Sequence, residues 1–269
     1  MNPHAPVARP SRMPLPPLVA THDSNPASAA AHPGASGAKV EERLPFSVRV
    51  VSDAAALDKA VHIRQAAYAR HVPDLARTLG QPEPADFADG SLVLLAESNL
   101  DGSPVGTMRI QTNRYAPLAL EQSVALPPSL SHCVLAEATR LGVTDDRVGT
   151  LVKTVLFKAL YLYCLHSGVD WMVVTGRAPV DRQYMRLLFD DVYPELGYIP
   201  MRHVGNLPHR VMKFEVGTAE RRWAEVRHPL FNFMVLTHHP DIRLDAPVVS
   251  EAPVQPQAPF HAPAPTLAM

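Results

Sequence analysis

The segment Val134-Leu135-Ala136-Glu137-Ala138-Thr139-Arg140-Leu141-Gly142-Val143 constrains this chain more than any other. Its length and apolar content are those of a buried strand, yet it carries two ionised side chains. Glu and Arg are rarely buried unless they are paired or take part in chemistry. The segment therefore reads as the floor of an active site. On a regular strand, side chains three apart point to opposite faces. Glu137 and Arg140 converge only if the strand is bulged.

The neighbouring elements follow from periodicity. Asp145 or Asp146 leads into a helix over 149–167, apolar at Leu151, Val152, Val155, Leu156, Ala159, Leu160 and Tyr163 and closed by Gly168. Trp171-Met172-Val173-Val174-Thr175 is an apolar strand. Strand, helix and strand make one βαβ crossover, so the two strands run parallel. Upstream, a strand over 46–51 precedes a helix over 54–71, capped by Ser52 or Asp53. Arg64 and Tyr68, four apart, share a face of it. The strands 92–97 and 105–111 form a hairpin around Asp101-Gly102. Residues 114–131 read as a loop or a helix. Downstream come a helix from Pro179 to 192, a strand over 211–216 and a short helix over 218–227. The aromatic stretch 228–237 reads as strand or packed coil, its Phe231, Phe233 and Met234 as core or as the wall of an acyl-chain pocket. The class is α/β (α+β), a mixed sheet with helices on both faces.

Residues 1–45 hold nine of the 28 prolines and residues 246–269 hold six more, with Ala in both and no apolar period. Such segments bury too little surface to offset their ordering entropy, and both are predicted to be disordered tails around one domain over 46–245. A net charge of -1 argues against a mainly nucleic-acid-binding protein. Cys133 and Cys164 lie in apolar segments and read as free thiols. No run approaches the roughly 18 apolar residues of a bilayer span, and no signal pattern opens the chain, so a cytoplasmic location is expected. The 13 histidines form no ligand cluster. The densest group, His238-His239-Pro240-Asp241, falls short of the three or four convergent ligands of a zinc site, so no metal is expected.

The set Arg64…Tyr68, Asp86-x-x-Asp89, Arg109 and Glu137-x-x-Arg140 resembles the pattern of acyl-homoserine-lactone (autoinducer) synthases and of their relatives, the N-acyl amino acid synthases. Autoinducer synthases typically carry a Trp a little after the aromatic of the first helix. Here that region reads Arg70-His71-Val72-Pro73-Asp74, without one. The run Lys158–Tyr163, the Trp171 strand, His228-Pro229-Leu230 and His239-Pro240-Asp241 resemble the N-acyl amino acid synthases more closely. The resemblance implies a GNAT-like fold, with a mostly antiparallel sheet around the parallel crossover. It implies an acyl donor held as a thioester on acyl carrier protein, with the carrier's phosphopantetheine in place of a bound cofactor. The acceptor would be the amine of an amino acid. An autoinducer synthase using S-adenosylmethionine and a catalytically silent acyl-binding module are the alternatives.

The residues bear on that chemistry directly. Acyl-CoA members of the fold hold the CoA pyrophosphate with a Gly-rich turn at a helix N-terminus. Here the turn is Thr144-Asp145-Asp146-Arg147-Val148-Gly149-Thr150, a poor cradle for an anion. Carrier proteins are acidic, and Arg147, Lys153, Lys158, Arg177 and Arg182 are candidates for a basic docking patch. Glu137 in an apolar strand has the setting of a raised-pKa general base, or of an ion-pair partner. Backbone N–H groups of a bulge near 137–142 would stabilise an oxyanion. Arg109 or Arg140 suits the acceptor carboxylate. Arg64, Tyr68, Asp86, Asp89 and Arg109 are candidate substrate-binding residues, or an ion network holding a loop over the cleft. Tyr184 is a candidate acid toward the leaving thiolate, or a packed Tyr.

Overall fold

The computed structural model describes residues 40–245. The two predicted disordered segments lie largely outside the described residues. The exception is 40–45, where the fold begins earlier than the composition suggests. The strands β1 (Val40–Glu41) and β2 (Phe46–Val50) open the chain. Helices α1 (Ala54–Ala69) and α2 (Pro73–Thr78) follow. Next come β3 (Ser91–Ser98), β4 (Pro104–Thr112), β5 (Leu135–Val143), α3 (Arg147–His166) and β6 (Trp171–Gly176). The chain continues with α4 (Asp181–Arg186), β7 (Asp190–Asp191), β8 (Ile199–Met201), β9 (Leu207–Glu215) and α5 (Ala219–Glu225). Two short strands, β10 (Thr237–His238) and β11 (Ile242–Arg243), complete it.

The main sheet has the order β11-β2-β3-β4-β5-β6-β9-β7, with β8 on β9. β5 and β6 are parallel, as the crossover requires. β2 to β5 are antiparallel neighbours, and so are β6 and β9. One face carries α3. Met108, Ala138, Met172 and Val174 meet Val152, Val155 and Leu156 there, all buried. The other face carries α1 on Val93 and Leu95, and a second apolar group joins Leu135, Val173 and Val211 to Leu118, Leu120 and Leu130 of the 114–131 loop. That loop holds one short 3₁₀ turn, Ala119–Gln122. Asp53 caps α1, accepting from the Ala56 N–H at 2.8 Å. Gly142 lets α1 lie close to β5, since a Cβ there would stand 3.1 Å from the Ala67 Cβ and the Arg64 Cα.

α3 is long and apolar enough to cross a membrane. Arg147, Lys153 and Lys158 interrupt its apolar residues, so no unbroken run stands out in the sequence. In the fold that apolar face is the core, and Val152, Val155, Leu156, Ala159 and Leu160 are fully buried. Two expectations, both downstream of α3, need correction. The helix after Pro179 is only six residues long. At Leu188 the backbone turns left-handed (φ 71), which sends Phe189 onto Phe214 with ring centroids 5.3 Å apart. Tertiary packing there overrides helical periodicity. The stretch 228–237 is neither strand nor coil alone. It holds a π-helical turn, Asn232–Leu236, that runs into β10.

That turn is pinned by Lys158, which is buried in the core and belongs to no docking surface. Its Nζ donates to the carbonyls of Phe233 (2.5 Å) and Thr237 (2.6 Å) and lies 2.8 Å from His239 Nδ1. Burial, then the Lys158 ammonium, depresses the His239 pKa, so the imidazole stays neutral and accepts. Asp241 in turn accepts from the Leu44 N–H at 2.9 Å, and β1 pairs with β10. Lys158→Met is expected to destabilise by about 3 kcal/mol, because buried carbonyls lose a charged donor. Denaturant unfolding reads this, and hydrogen exchange should rise first over Thr237–Arg243.

Candidate active site

β5 is bulged, as the convergence of its two charges requires. Thr107 faces Gly142 and Arg109 faces Thr139, so the single residue Met108 stands opposite both Arg140 and Leu141. Arg140 takes a left-handed backbone (φ 55), which a non-glycine residue holds only when its surroundings demand it. β5 also parts from β6. Pairing ends at Ala138–Val174, although β5 runs on to Val143 and β6 to Gly176. A gap opens through the sheet beyond that point.

The surroundings that hold Arg140 are an ion cluster of five side chains. Glu83 accepts from Arg140 Nε and Nη2 at 2.6 and 2.7 Å. Asp86 accepts from Arg64 Nη1 and Nη2, both at 3.0 Å. Arg109 Nη1 bridges the carboxylates at 3.1 Å from each. Asp86 also accepts from the Glu83 N–H at 2.8 Å, which fixes the loop geometry. Burial alone would raise both carboxyls. The Arg140 bonds for Glu83 and the Arg64 bonds for Asp86 outweigh it and hold both below the usual range.

Of the two readings of these residues, the ion network is the one the geometry shows for Arg64, Asp86 and Arg109. Arg64, Asp86 and Arg109 lie behind the cleft wall, with the Asp86 carboxylate bound by both guanidinium groups. Asp89 is exposed and outside the cluster. Glu83 supplies the second carboxylate that the motif spacing assigned to Asp89. Tyr68 does line the cleft, and it supports the charged form of Arg140.

The cleft itself is about 360 Å³, walled by the diverging ends of β5 and β6 with Tyr68, Tyr184 and His203. Glu137 is fully buried and is not part of that wall. Its Oε2 accepts from the Leu120 N–H at 3.1 Å, and its Oε1 lies 4.0 Å from His203 Nε2 without a hydrogen-bond partner. His203 also stands 3.4 Å from Thr175 Oγ1, and its carbonyl accepts from Arg140 at 3.0 Å. Glu137 and Arg140 therefore meet through His203 and not through each other. Burial pushes the Glu137 carboxyl up to about 7, with its backbone hydrogen bonds and the guanidinium charges opposing. Burial, then the Arg140 charge, lowers His203 to about 4, so the imidazole is neutral near neutral pH. Burial raises the Tyr184 phenol, which stays protonated.

A second cavity of about 650 Å³ lies on the α3 side of the gap. Its wall is mainly apolar, with Met108, Phe157, Leu160, Val174, Leu187 and Leu230. Leu141, Lys153, Val180, Gln183 and Tyr184 line both cavities. At the head of α3, the Asp146 carboxylate accepts from the Gly149 N–H at 2.6 Å, where an anion would otherwise bind. A Cβ at Gly149 would stand 2.0 Å from the Thr144 carbonyl oxygen, so the turn is closed. Of the docking candidates, Arg147 and Arg182 are exposed and Arg177 lines the cleft. Lys153 is half-buried between the cavities, because its side chain lies along the gap and not outward.

Two site residues escaped sequence reasoning. Glu83 had a signal in Glu83-x-x-Asp86, the spacing of reciprocal side-chain to backbone caps. His203 had none. The architecture, with its bulged β5 and parted β6, is an α+β fold of the N-acetyltransferase-like (GNAT) kind. The sequence matches no protein-family profile and no curated protein. Among solved structures it is similar to FeeM, an N-acyl amino acid synthase from uncultured soil microbes. That match has a TM-score of 0.51 and 15% identity over 67% of this chain and 96% of that one. It is also similar to BjaI, a CoA-dependent acyl-homoserine lactone synthase (TM-score 0.47, 16% identity, 72% and 93% covered). An aminoglycoside 6'-acetyltransferase of type Ii matches at a TM-score of 0.43 and 13% identity, with 63% and 96% covered. At 15% identity the likeness to FeeM bears on the fold alone.

Proposed function

We propose that this protein is an N-acyltransferase that moves a fatty acyl group from the phosphopantetheine thioester of acyl carrier protein to the amine of an amino acid. The observation that carries this is the meeting of a polar cleft and an apolar pocket in the gap between β5 and β6, at Tyr184. A pocket of that size and lining suits an acyl chain. The thioester carbonyl then lies in the gap, and the amine approaches from the cleft. The Asp146 cap supports a donor without pyrophosphate, and the exposed Arg147 and Arg182 supply cations for an acidic carrier. Arg177, with no ion pair among the described residues, suits the acceptor's carboxylate.

The amine loses its proton to the His203–Glu137 pair as its nitrogen bonds to the carbonyl carbon. His203 is the member on the cleft wall, and Glu137 behind it holds the negative charge that draws the proton in. Arg140 and Leu141 share the single residue Met108 opposite them on β4, and an N–H that this bulge leaves out of the ladder is the oxyanion donor of choice. The tetrahedral intermediate collapses with loss of the C–S bond, the thiolate takes the proton of Tyr184, and the proton held by the His203–Glu137 pair returns to Tyr184 through water in the open cleft. FeeM, named as an N-acyl amino acid synthase, lends this reading its chemistry by analogy.

The test incubates the full chain with decanoyl-carrier protein or decanoyl-CoA and each amino acid, and follows thiol release. Release that needs an amino acid and favours the carrier donor is expected. Release only with S-adenosylmethionine would make it an autoinducer synthase, and no release with any acceptor would leave a silent acyl-binding module.

A further inference from the structure

Lys153 stands where the two cavities meet. It projects from α3, and its Nζ donates to Gln183 Oε1 of α4 at 2.6 Å, so the pair bridges the gap. No carboxylate pairs with it among the described residues, and burial lowers its pKa. The wall beyond it is apolar, with Phe157, Leu160, Val174 and Leu187. An ammonium has three donors, and Gln183 occupies one. Holding such a group in an apolar neck is costly unless a ligand brings an acceptor.

A role for Lys153 toward the acyl chain rests on the acyl-transfer reading above. With the thioester in the gap and the tail in the apolar pocket, the atoms passing Lys153 are the first carbons after the carbonyl. Plain methylenes there leave the ammonium facing hydrocarbon. An oxygen on the third carbon accepts from it, and a hydroxyl there also donates to Gln183. We propose that Lys153 and Gln183 are a specificity-determining pair that selects acyl donors oxygenated at the third carbon, the 3-hydroxyacyl thioesters, over unsubstituted chains of equal length.

The experiment compares 3-hydroxydecanoyl- and decanoyl-carrier protein as donors for the full chain and for Lys153→Met. Alongside, calorimetry measures binding of the two matching S-alkyl pantetheine thioethers, one with and one without the hydroxyl. The wild-type chain is expected to favour the hydroxylated donor by about tenfold or more in kcat/KM, the scale on which a polar site rejects a ligand lacking its partner. Lys153→Met is expected to bring that ratio close to unity. A wild-type ratio near unity, a ratio that survives in Lys153→Met, or an equal loss on both donors would overturn the pair's role. If neither donor turns over, the acyl-transfer reading fails. The thioethers then decide the pair separately: a hydroxyl preference that Lys153→Met abolishes upholds it, and equal affinity overturns it.

Discussion

Glu137→Gln is expected to keep the fold and lose about 10²- to 10⁴-fold in kcat/KM, the range a general base contributes. Gln has the shape of Glu and still accepts from the Leu120 N–H, so circular dichroism should not change. The pH dependence gives a sharper reading. The Glu137 carboxyl titrates at about 7, and its ionised form is the one that draws the proton through His203. Wild-type activity should therefore rise as pH increases through about 7, and the Gln variant should lack that limb. The stability sign is the opposite. A carboxyl raised in the fold favours the native state below its unfolded value, and that contribution is lost as pH rises through about 7. The amide of the Glu137→Gln variant cannot ionise, so the variant should lose less stability than wild type between about pH 5 and 8. A variant with unchanged activity and an unchanged pH profile would remove Glu137 from the chemistry.

Asp86→Ala has the largest expected effect on stability. Its carboxylate is fully buried and bound by Arg64 and Arg109. Removing it leaves two buried guanidinium groups under-compensated, which costs about 3–5 kcal/mol. For a domain of this size, that is a fall of roughly 10 °C or more in melting temperature. Glu83 and Asp86 both ionise more easily in the fold. Their contribution is present above the ordinary carboxylate range and lost as pH falls through their folded values. Asp89→Ala, in the same apparent motif but exposed, should stay within about 0.5 kcal/mol. Equal melting temperatures for Asp86→Ala and the wild type would mean that the cluster does not hold the loop.

The parts of the fold legible in the sequence are those set by local rules. Alternation and a turn signal define the β3–β4 hairpin. A strand, a capped helix and a strand in succession imply the parallel β5–α3–β6 crossover. The bulge is legible for a different reason: two charges three apart on a buried strand can share a face only if the strand is irregular. Glu83 is partly visible, yet the motif points to Asp89, because spacing says which residues recur and not which side chain turns inward. His203 lies in a loop between β8 and β9, and only the sheet order brings it within 4.0 Å of Glu137. No short-range pattern encodes that contact. Lys153 and Lys158 read alike as surface cations. One lines a cavity and the other is sealed in the core, because α3 is buried over much of its circumference.

A structure of the protein with an S-decyl pantetheine thioether bound tests the central claim most directly. The account predicts the alkyl tail among Phe157, Leu160 and Leu187, the sulfur beside Tyr184, and the pantetheine arm leaving along the cleft past Arg177. A tail lodged elsewhere, or a sulfur far from the gap between β5 and β6, would contradict it.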